Sequence, residues 1–155
     1  MKSNNNILVY QQPVIGFKEQ VITRSTKLIW TGKGKLYEFV DILYQKKYII
    51  SKREIFSFFI KPCNGSKIRW NPDYKYHLAY LLFILCRENF IILSGSKGFY
   101  TCAEKHFTDI EGIFLKKNSL KNIKLKIINN PDKFSFVIRE IDEIITKISM
   151  FKIDY

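Results

Sequence analysis

Hydrophobic and polar residues follow two different periods along this chain. Residues 7 to 29 contain short apolar runs separated by Pro13 and Gly16, which predicts two or three short strands. From about residue 34 onward, apolar residues recur every three or four positions, which is the period of an α-helix. We therefore predict a mainly α fold with a small β ribbon.

The first helical region is a pair of helices. An amphipathic helix is predicted over about 34–46 from its apolar positions, Leu36, Phe39, Val40 and Leu43. Ser51 and Glu54 then have the S-x-x-E spacing of a capping box, which predicts the start of a second, shorter helix. That helix ends before Pro62.

The same pattern occurs twice. TKLIW (26–30) and SKIRW (66–70) both end in tryptophan, and Trp30 and Trp70 are the only two tryptophans in the chain. A shift of 42 residues brings the first helix onto a second apolar stripe, formed by Leu78, Leu81, Leu82 and Leu85. The same shift brings Tyr48-Ile49 onto Phe90-Ile91. We interpret the pattern as an internal duplication.

The duplication predicts two helix-turn-helix-like repeat units, about 26–61 and 66–107. Each unit is a short strand, a helix and a shorter helix, and the strands of the two units are candidates to pair as a ribbon. Trp30 and Trp70 are then expected to be equivalent structural residues in the core.

A C-terminal helical segment, 116–150, is predicted to be a helix pair. Leu120, Ile123 and Ile127 indicate a short helix that begins at Asn118 or Ser119. Asn130-Pro131-Asp132 then starts a last helix, whose predicted core stripe is Phe134, Ile138, Ile141, Ile145 and Ile148. The stripe suits packing on the chain's own core; coiled-coil pairing is the alternative, so a homodimer stays open. We treat 1–155 as a single domain.

Charge indicates the partner. The chain has a net charge of +12, which suits a polyanion such as nucleic acid. The alternative is a generally cationic surface that reflects AT-rich codon usage. The excess is regional, because 116–126 holds five lysines and no acid, whereas 131–149 is nearly balanced.

Residues 35–60 have the arrangement of a helix–turn–helix. In that motif the start of the second helix reads bases and the neighbouring cations hold phosphates. The predicted nucleic-acid-binding residues are Lys33, Lys35, Lys46, Lys47, Lys52, Arg53, Arg69, Lys97, Lys117 and Lys121. Lys52 and Arg53 are the candidates for base contact. The structural alternative is that the second helix, apolar nearly all round, is buried.

The sequence contains no motif that is typical of a catalytic site. The cysteines, Cys63, Cys86 and Cys102, show no zinc-ligand spacing, so neither metal nor cofactor is expected. His77 is interpreted as a helix-surface residue and His106 as a solvated residue at a helix end. We expect no enzyme.

The chain is expected to be cytoplasmic and not bound to a membrane. Its first residues lack the apolar segment of a signal peptide. The longest apolar run, 78–86, is under half of the roughly 20 residues that span a bilayer.

Several segments together resemble a known family. They are LIWTGKGKLYEFVDILYQKKYI (28–49), EI-x-x-F-F (54–59), HFTDIEG (106–112), LKKNSLKNIK (115–124), NNPDKF (129–134) and IREIDEII (138–145). Over about 30–145 they resemble RteC-type regulatory proteins of Bacteroidetes mobile elements. The resemblance implies a regulator that acts on DNA through a helical, winged-helix-like region, with Trp30, Thr31 and Gly32 as a structural anchor.

The functional prediction is a non-enzymatic DNA-binding regulatory protein of a mobile element or phage. The alternative is a protein-binding module that docks on, or inhibits, a host complex that handles nucleic acid. The predicted partners are accordingly nucleic acid, with DNA favoured, or such a protein complex.

Overall fold

The computed structural model describes residues 27–32, 35–60, 67–94 and 98–149, in which helices alternate with short strands. The elements are β1 (Lys27–Trp30), α1 (Leu36–Gln45), α2 (Lys52–Ile60), β2 (Ile68–Arg69), α3 (Lys75–Arg87), β3 (Ile91–Ser94), α4 (Phe99–Ala103), β4 (Phe107–Thr108), α5 (Lys117–Asn129) and α6 (Ser135–Ser149). The predicted mainly α fold with a small β component is confirmed. The strands predicted before Lys27 lie outside the described residues.

Helix α3 is the centre of the core. Its buried residues are His77, Leu78, Ala79, Tyr80, Leu81, Leu82, Ile84 and Leu85. A helix that is apolar on nearly all sides must be covered on all of them. Helices α5 and α6 both pack on α3, and α1 packs on α6. A 3-10 turn, Pro72–Tyr74, precedes α3, and the Asn71 side chain caps it by accepting the Asp73 N–H at 3.0 Å.

The strands form two separate ribbons. Strand β1 is antiparallel to β3, from Lys27 opposite Ser94 to Trp30 opposite Ile91, whereas β2 is parallel to β4. The prediction that the two tryptophan-ended strands pair with each other is therefore wrong. Strand β1 pairs instead with the segment that follows α3 of the other unit, and β2 pairs with β4 of its own unit, while a single bridge joins Trp70 to Ile49 after α1.

Helices α1 and α3 end in the same way, 42 residues apart. Lys47 and Asn89 both have positive φ, 63° and 64°. The next N–H, of Tyr48 or Phe90, donates to the carbonyl five residues back at 3.0 and 2.9 Å. This is the Schellman arrangement, in which a left-handed residue ends the helix and the following apolar side chain covers its last turn.

The two units exchange contacts at these helix ends. The Asn71 N–H donates to the Tyr48 carbonyl at 2.8 Å, and the Thr31 N–H donates to the Phe90 carbonyl at 2.9 Å. The side chains of Asn71 and Thr31 donate to the carbonyl one residue earlier. Asn71 Nδ2 donates to the Lys47 carbonyl, and Thr31 Oγ1 donates to the Asn89 carbonyl. The residue after each tryptophan thus fixes the helix end of the other unit.

The tryptophans differ in burial. Trp70 is 0% exposed, packs against Tyr48 and Phe107, and donates its indole N–H to the Tyr74 carbonyl at 2.8 Å. Trp30 is only partly buried, against an aromatic group formed by Phe39, Phe59 and Phe90. Both have structural roles, but they are not equivalent.

The last helix buries two of the predicted core residues, Ile141 and Ile148, but its other buried positions are one residue earlier than predicted. The buried residues of α6 are Val137, Ile141, Ile144 and Ile148. Ile138 and Ile145 are only partly buried, at the edge of this stripe. Both stripes have the same spacing of four and three residues, so spacing alone did not distinguish them.

Candidate nucleic-acid interface

The structure describes only some of the ten basic residues predicted to bind nucleic acid. Lys33 and Lys97 are outside the described residues, and Lys117 is described only as the first residue of α5. Lys35 is exposed at the start of α1, and Lys121 is exposed on α5. The other five lie at or beside the connection between α1 and α2, which we call the α1–α2 corner; they are Lys46, Lys47, Lys52, Arg53 and Arg69.

An acidic side chain offsets one cation of the α1–α2 corner. The Lys52 ammonium lies 2.8 Å from Asp41 Oδ1 and 5.3 Å from the centroid of the Tyr44 ring. Both ion-pair partners are about half exposed, so the pair adds little stability. A phosphate would nevertheless have to compete with Asp41 for this lysine. Lys47 and Arg53 are exposed at the same corner.

Arg69 is occupied within the fold. Its Nε donates to Glu54 Oε2 at 2.8 Å, and its backbone N–H donates to Glu54 Oε1 at 2.9 Å. Both oxygens of one carboxylate therefore hold β2 against α2. The side chain of Arg69 is 41% exposed, but its charge is matched at close range. Glu54, which the sequence predicted as part of a capping box, has this longer-range role.

Burial limits what α2 can contact. Ile55, Phe58 and Phe59 are in the core, and α2 packs on α1, β1 and β2. A base-reading helix must present a side to the major groove. In α2 that leaves mainly Lys52 and Arg53 at its start, which favours the structural alternative for this helix.

Helix α5 offers a more uniform cationic face. Leu120, Ile123 and Ile127 are buried, which turns the remaining positions of the helix toward solvent. Over 116–130 the sequence contains lysines and no acid. We define the α5 face as the exposed or half-exposed residues on one side of the helix, namely Lys121, Lys124, Leu125 and Ile128.

The cationic character continues onto the end of α3. The Lys124 ammonium lies 5.2 Å from the centroid of the Phe83 ring, and the Arg87 guanidinium lies 5.7 Å from it. Phe83 is half-buried at the α3–α5 contact, and both cations lie against its ring. Arg87 Nε also donates to the neighbouring Glu88 at 3.1 Å. Arg87 and Lys124 thus lie against the same ring, but Glu88 offsets the charge of Arg87.

Helix α6 has the opposite character. Its charged residues are Arg139, Glu140, Asp142, Glu143 and Lys147, which nearly cancel. An open pocket of about 600 Å³ runs along it, lined by Pro131, Ser135, Ile138, Arg139, Asp142, Glu143, Thr146 and Lys147. Burial raises the pKa of Asp142, against the opposing charge of Arg87. Mixed charge on this wall does not favour a polyanion.

Sequence reasoning missed a partly buried polar cluster. Glu140 Oε1 accepts hydrogen bonds from the Tyr48 hydroxyl and from His77 Nε2, both at 2.9 Å. His77 is buried, so its interpretation as a helix-surface residue is wrong; α6 covers that side of α3. The only signal in the sequence is a histidine next to an apolar run, which does not reveal its distant partner.

The electrostatics of this cluster favour a neutral histidine. Burial lowers the pKa of His77, against the opposing effect of Glu140. Burial alone would raise the pKa of Glu140, but the hydrogen bonds and charges around it, from Tyr48 first, bring it below its ordinary value. Burial and Glu140 raise the pKa of Tyr48. His77 Nδ1 is buried and has no hydrogen-bond partner among the described residues.

Other reactive groups are held in unreactive surroundings. Burial raises the pKa of the Cys86 thiol to about 11, and burial also raises that of Cys102. Thiols of this kind are poor nucleophiles near neutral pH. Asp109 Oδ1 accepts the N–H groups of Glu111 and Ile113, so it organises a loop. Within 27–149, leaving aside the gaps, no group of His, Cys, Asp and Glu could hold a metal ion.

Comparison with known proteins gave no match: no family model, no curated protein and no solved structure is significantly similar to this chain. The resemblance to RteC-type regulators thus remains a prediction. None of the helices in the described part of the chain is long and apolar enough to cross a membrane.

Proposed function

We propose that this chain is a non-enzymatic, cytoplasmic DNA-binding regulatory protein of a mobile element or phage, and that the α5 face contacts the phosphate backbone. The observation that supports it is the charge of α5, a helix that contains four lysines and no acidic residue. Lys121 and Lys124 stand on one side of a helix without an acid, next to Arg87. Phosphate contacts of this kind need no motif, and they position a protein without reading sequence.

The two lysines of the α5 face are close enough to act together. Residues three apart on a helix are neighbours, about 5–6 Å between Cβ atoms. Lys121 and Lys124 can therefore approach adjacent phosphates together. The exposed apolar side chains of Leu125 and Ile128 flank the two lysines and can cover the less polar sugar edge of a groove. We assign to the α1–α2 corner a secondary role, because Lys52 and Arg69 already have carboxylate partners.

The test is fluorescence anisotropy of a labelled duplex of about 20 base pairs, titrated with the protein at salt concentrations from about 50 to about 200 mM. The affinity should fall linearly on a log–log plot. The double variant K121E/K124E should reduce the slope by about 2 and weaken binding strongly. Absence of binding even at the lowest salt would refute the proposal.

A matched variant separates the α5 face from net charge. R139E/K147E changes the charge by the same amount on α6, where both residues are exposed. It should weaken binding much less than K121E/K124E. Equal losses would mean that only the total charge matters, and the cationic surface would then reflect codon usage.

A third variant, K52E/R53E, tests the helix–turn–helix prediction. If the corner is secondary, this variant should lose less affinity than K121E/K124E and keep its relative preference among duplex sequences. A selective loss of preference for one sequence would instead assign base reading to the start of α2.

A protein-binding module is the second candidate. The observation that favours it is a short loop in which three large apolar side chains are exposed, Ile110, Ile113 and Phe114. Large apolar side chains gathered at one place on a surface commonly mark an interaction site. A protein that bound no nucleic acid at low salt, yet formed a stable complex with a protein partner, would favour this candidate.

A further inference from the structure

The segment between β4 and α5 exposes apolar side chains at an unusual density. We call residues 109–114 the apolar loop. Ile110 is 49% exposed, Ile113 is 62% exposed and Phe114 is 41% exposed. Isolated exposed apolar residues are ordinary, but three within five positions form a patch that water covers at a cost.

The backbone of the apolar loop is fixed. The Asp109 N–H donates to the Ile113 carbonyl at 2.8 Å, which closes the loop. Asp109 Oδ1 accepts the Glu111 and Ile113 N–H groups at 2.9 and 3.0 Å. Gly112 supplies the positive φ, 89°, that the tight turn requires. A loop ordered in this way loses little entropy when a partner binds to it.

A pocket opens beside the apolar loop. It has a volume of about 390 Å³ and is lined by Glu104, Lys105, Phe114, Leu115 and Lys116. Phe114 and Leu115 supply an apolar wall, and the exposed lysines stand at its rim. The ammonium of a third lysine, Lys67, lies 5.2 Å from the centroid of the Phe114 ring.

Charge selects the kind of partner. Lys67, Lys105 and Lys116 surround the pocket and one acid, Glu104, lines it, so cations are in excess there. In the loop itself Glu111 is exposed, and the carboxylate of Asp109 accepts two backbone N–H groups. An apolar wall with cations around it complements a segment that carries both an apolar side chain and carboxylates.

We propose that the apolar loop and the adjacent pocket bind an acidic peptide segment of a protein partner. An aliphatic or aromatic side chain of that segment enters the pocket against Phe114, and its carboxylates meet Lys105 and Lys116. This inference deepens the protein-binding candidate and does not depend on nucleic-acid binding by the α5 face.

The probe is a library of random 12-residue peptides displayed on phage and selected on the full chain. The selected peptides are then synthesised with a fluorescent label and titrated by anisotropy. We expect them to be rich in Asp and Glu, with at least one Phe, Tyr, Trp, Leu or Ile. Selection of basic or wholly polar peptides, or no enrichment over an empty support, would overturn the proposal.

Two double variants locate the site. I113S/F114S should weaken peptide binding by about tenfold or more, the loss expected for central apolar anchors. I92S/L93S removes apolar residues that are similarly exposed on β3, and it should leave the affinity nearly unchanged. Equal effects of the two variants would refute the location. All these side chains are exposed, so the variants should keep the thermal midpoint of the parent, which checks folding.

A separate experiment tests the charge around the pocket. K105E/K116E should weaken binding of the acidic peptide. Added salt should weaken binding of the peptide to the parent chain but should hardly change its binding to this variant. The duplex titration is repeated on I113S/F114S. Unchanged duplex affinity supports a separate peptide site, whereas a loss of duplex affinity equal to that of K121E/K124E would make the loop part of the nucleic-acid surface and overturn the proposal.

Discussion

The first unit, β1 to α2, and the second unit, β2 to β4, share their helix ends but differ in the connection to the next helix. Only Ser51 separates Ile50 from α2, whereas six residues, 93–98, separate Ile92 from α4. The longer connection lets β3 pair with β1 over four residues. In the first unit the chain turns into α2 after a single bridge, Ile49 to Trp70. A repeated sequence thus sets the local geometry of a helix end, while the length of the next connection sets the extent of strand pairing.

The largest expected difference between the units concerns their tryptophans. Trp70→Ala should lower the free energy of unfolding by about 4 kcal/mol, because it empties a fully buried site and removes the hydrogen bond to the Tyr74 carbonyl. Trp30→Ala should cost roughly half as much, since the ring is partly exposed.

Urea unfolding followed by circular dichroism measures both effects. If the Trp70→Ala variant does not fold, Trp70→Phe replaces it, because phenylalanine keeps most of the buried ring. Trp70→Phe should still lower the free energy of unfolding more than Trp30→Phe does. Equal costs at the two positions would mean that the units are equivalent in packing, against the difference in burial between the two rings.

Tyr48 and Phe90 occupy the same place in the two units and differ by one hydroxyl. That hydroxyl donates to Glu140 at 2.9 Å and so connects the end of α1 to α6. Tyr48→Phe should cost about 1.5 kcal/mol, the range for a hydrogen bond to a charged acceptor. Tyr100→Phe is the control, because the Tyr100 hydroxyl donates to a neutral acceptor, the Ala79 carbonyl, at 3.0 Å.

Both variants are compared by urea unfolding at neutral pH. We expect the Tyr100→Phe cost to be the smaller of the two, about 1 kcal/mol. If instead Tyr48→Phe were neutral, the Tyr48–Glu140 bond would add nothing to the attachment of α6 to the first unit.

His77 gives the second unit a pH dependence, whereas the first unit has Lys35 at the position 42 residues earlier. Burial lowers the pKa of His77 below its ordinary value of 6.5, so the unfolded chain binds the proton more tightly than the folded chain does. The stabilising contribution of neutral His77 is therefore complete above pH 6.5 and is lost as the pH falls through the lowered value. The pKa of Glu140 is lowered too, so it acts in the same direction at more acidic pH.

The groups that face His77 are Tyr48, Tyr74, Glu140 and Lys46, together with the ring of Phe136. Stability measured between about pH 7.5 and about pH 5 should fall toward acid by at most about 1.4 kcal/mol per pH unit from this one proton. His77→Gln should flatten that part of the profile while lowering stability at neutral pH. A profile with the same slope in the variant would rule out His77 as its source.

Much of the local structure was predictable, and little of the long-range pairing was. The stripes of α1 and α5 depend on residues close together in sequence, so their patterns are readable. The partner of β1 is about 60 residues away, and the chain contains other apolar segments able to pair with it. The buried position of His77 depends on α6, which the α3 sequence does not encode. For the same reason Arg69 and Lys52 were predicted as nucleic-acid contacts, without their partners Glu54 and Asp41.

The smallest expected difference lies at the two left-handed residues. Lys47 has a side chain with no special tolerance for positive φ, whereas Asn89 is of a type that adopts it more readily. Lys47→Gly should raise the free energy of unfolding by about 0.5–1 kcal/mol, because relief of the backbone strain exceeds the added entropy of the unfolded chain. Asn89→Gly should change it by only a few tenths of a kcal/mol, since Asn and Gly both suit this site.

Exchange of the two residues sharpens the comparison of the helix ends. Lys47→Asn should stabilise the fold and Asn89→Lys should destabilise it, as followed by the midpoint of urea unfolding, because only the residue type at the left-handed position changes. Both side chains are exposed, so other contacts contribute little. An equal gain from glycine at both positions would show that the residue type at the helix end does not distinguish the units.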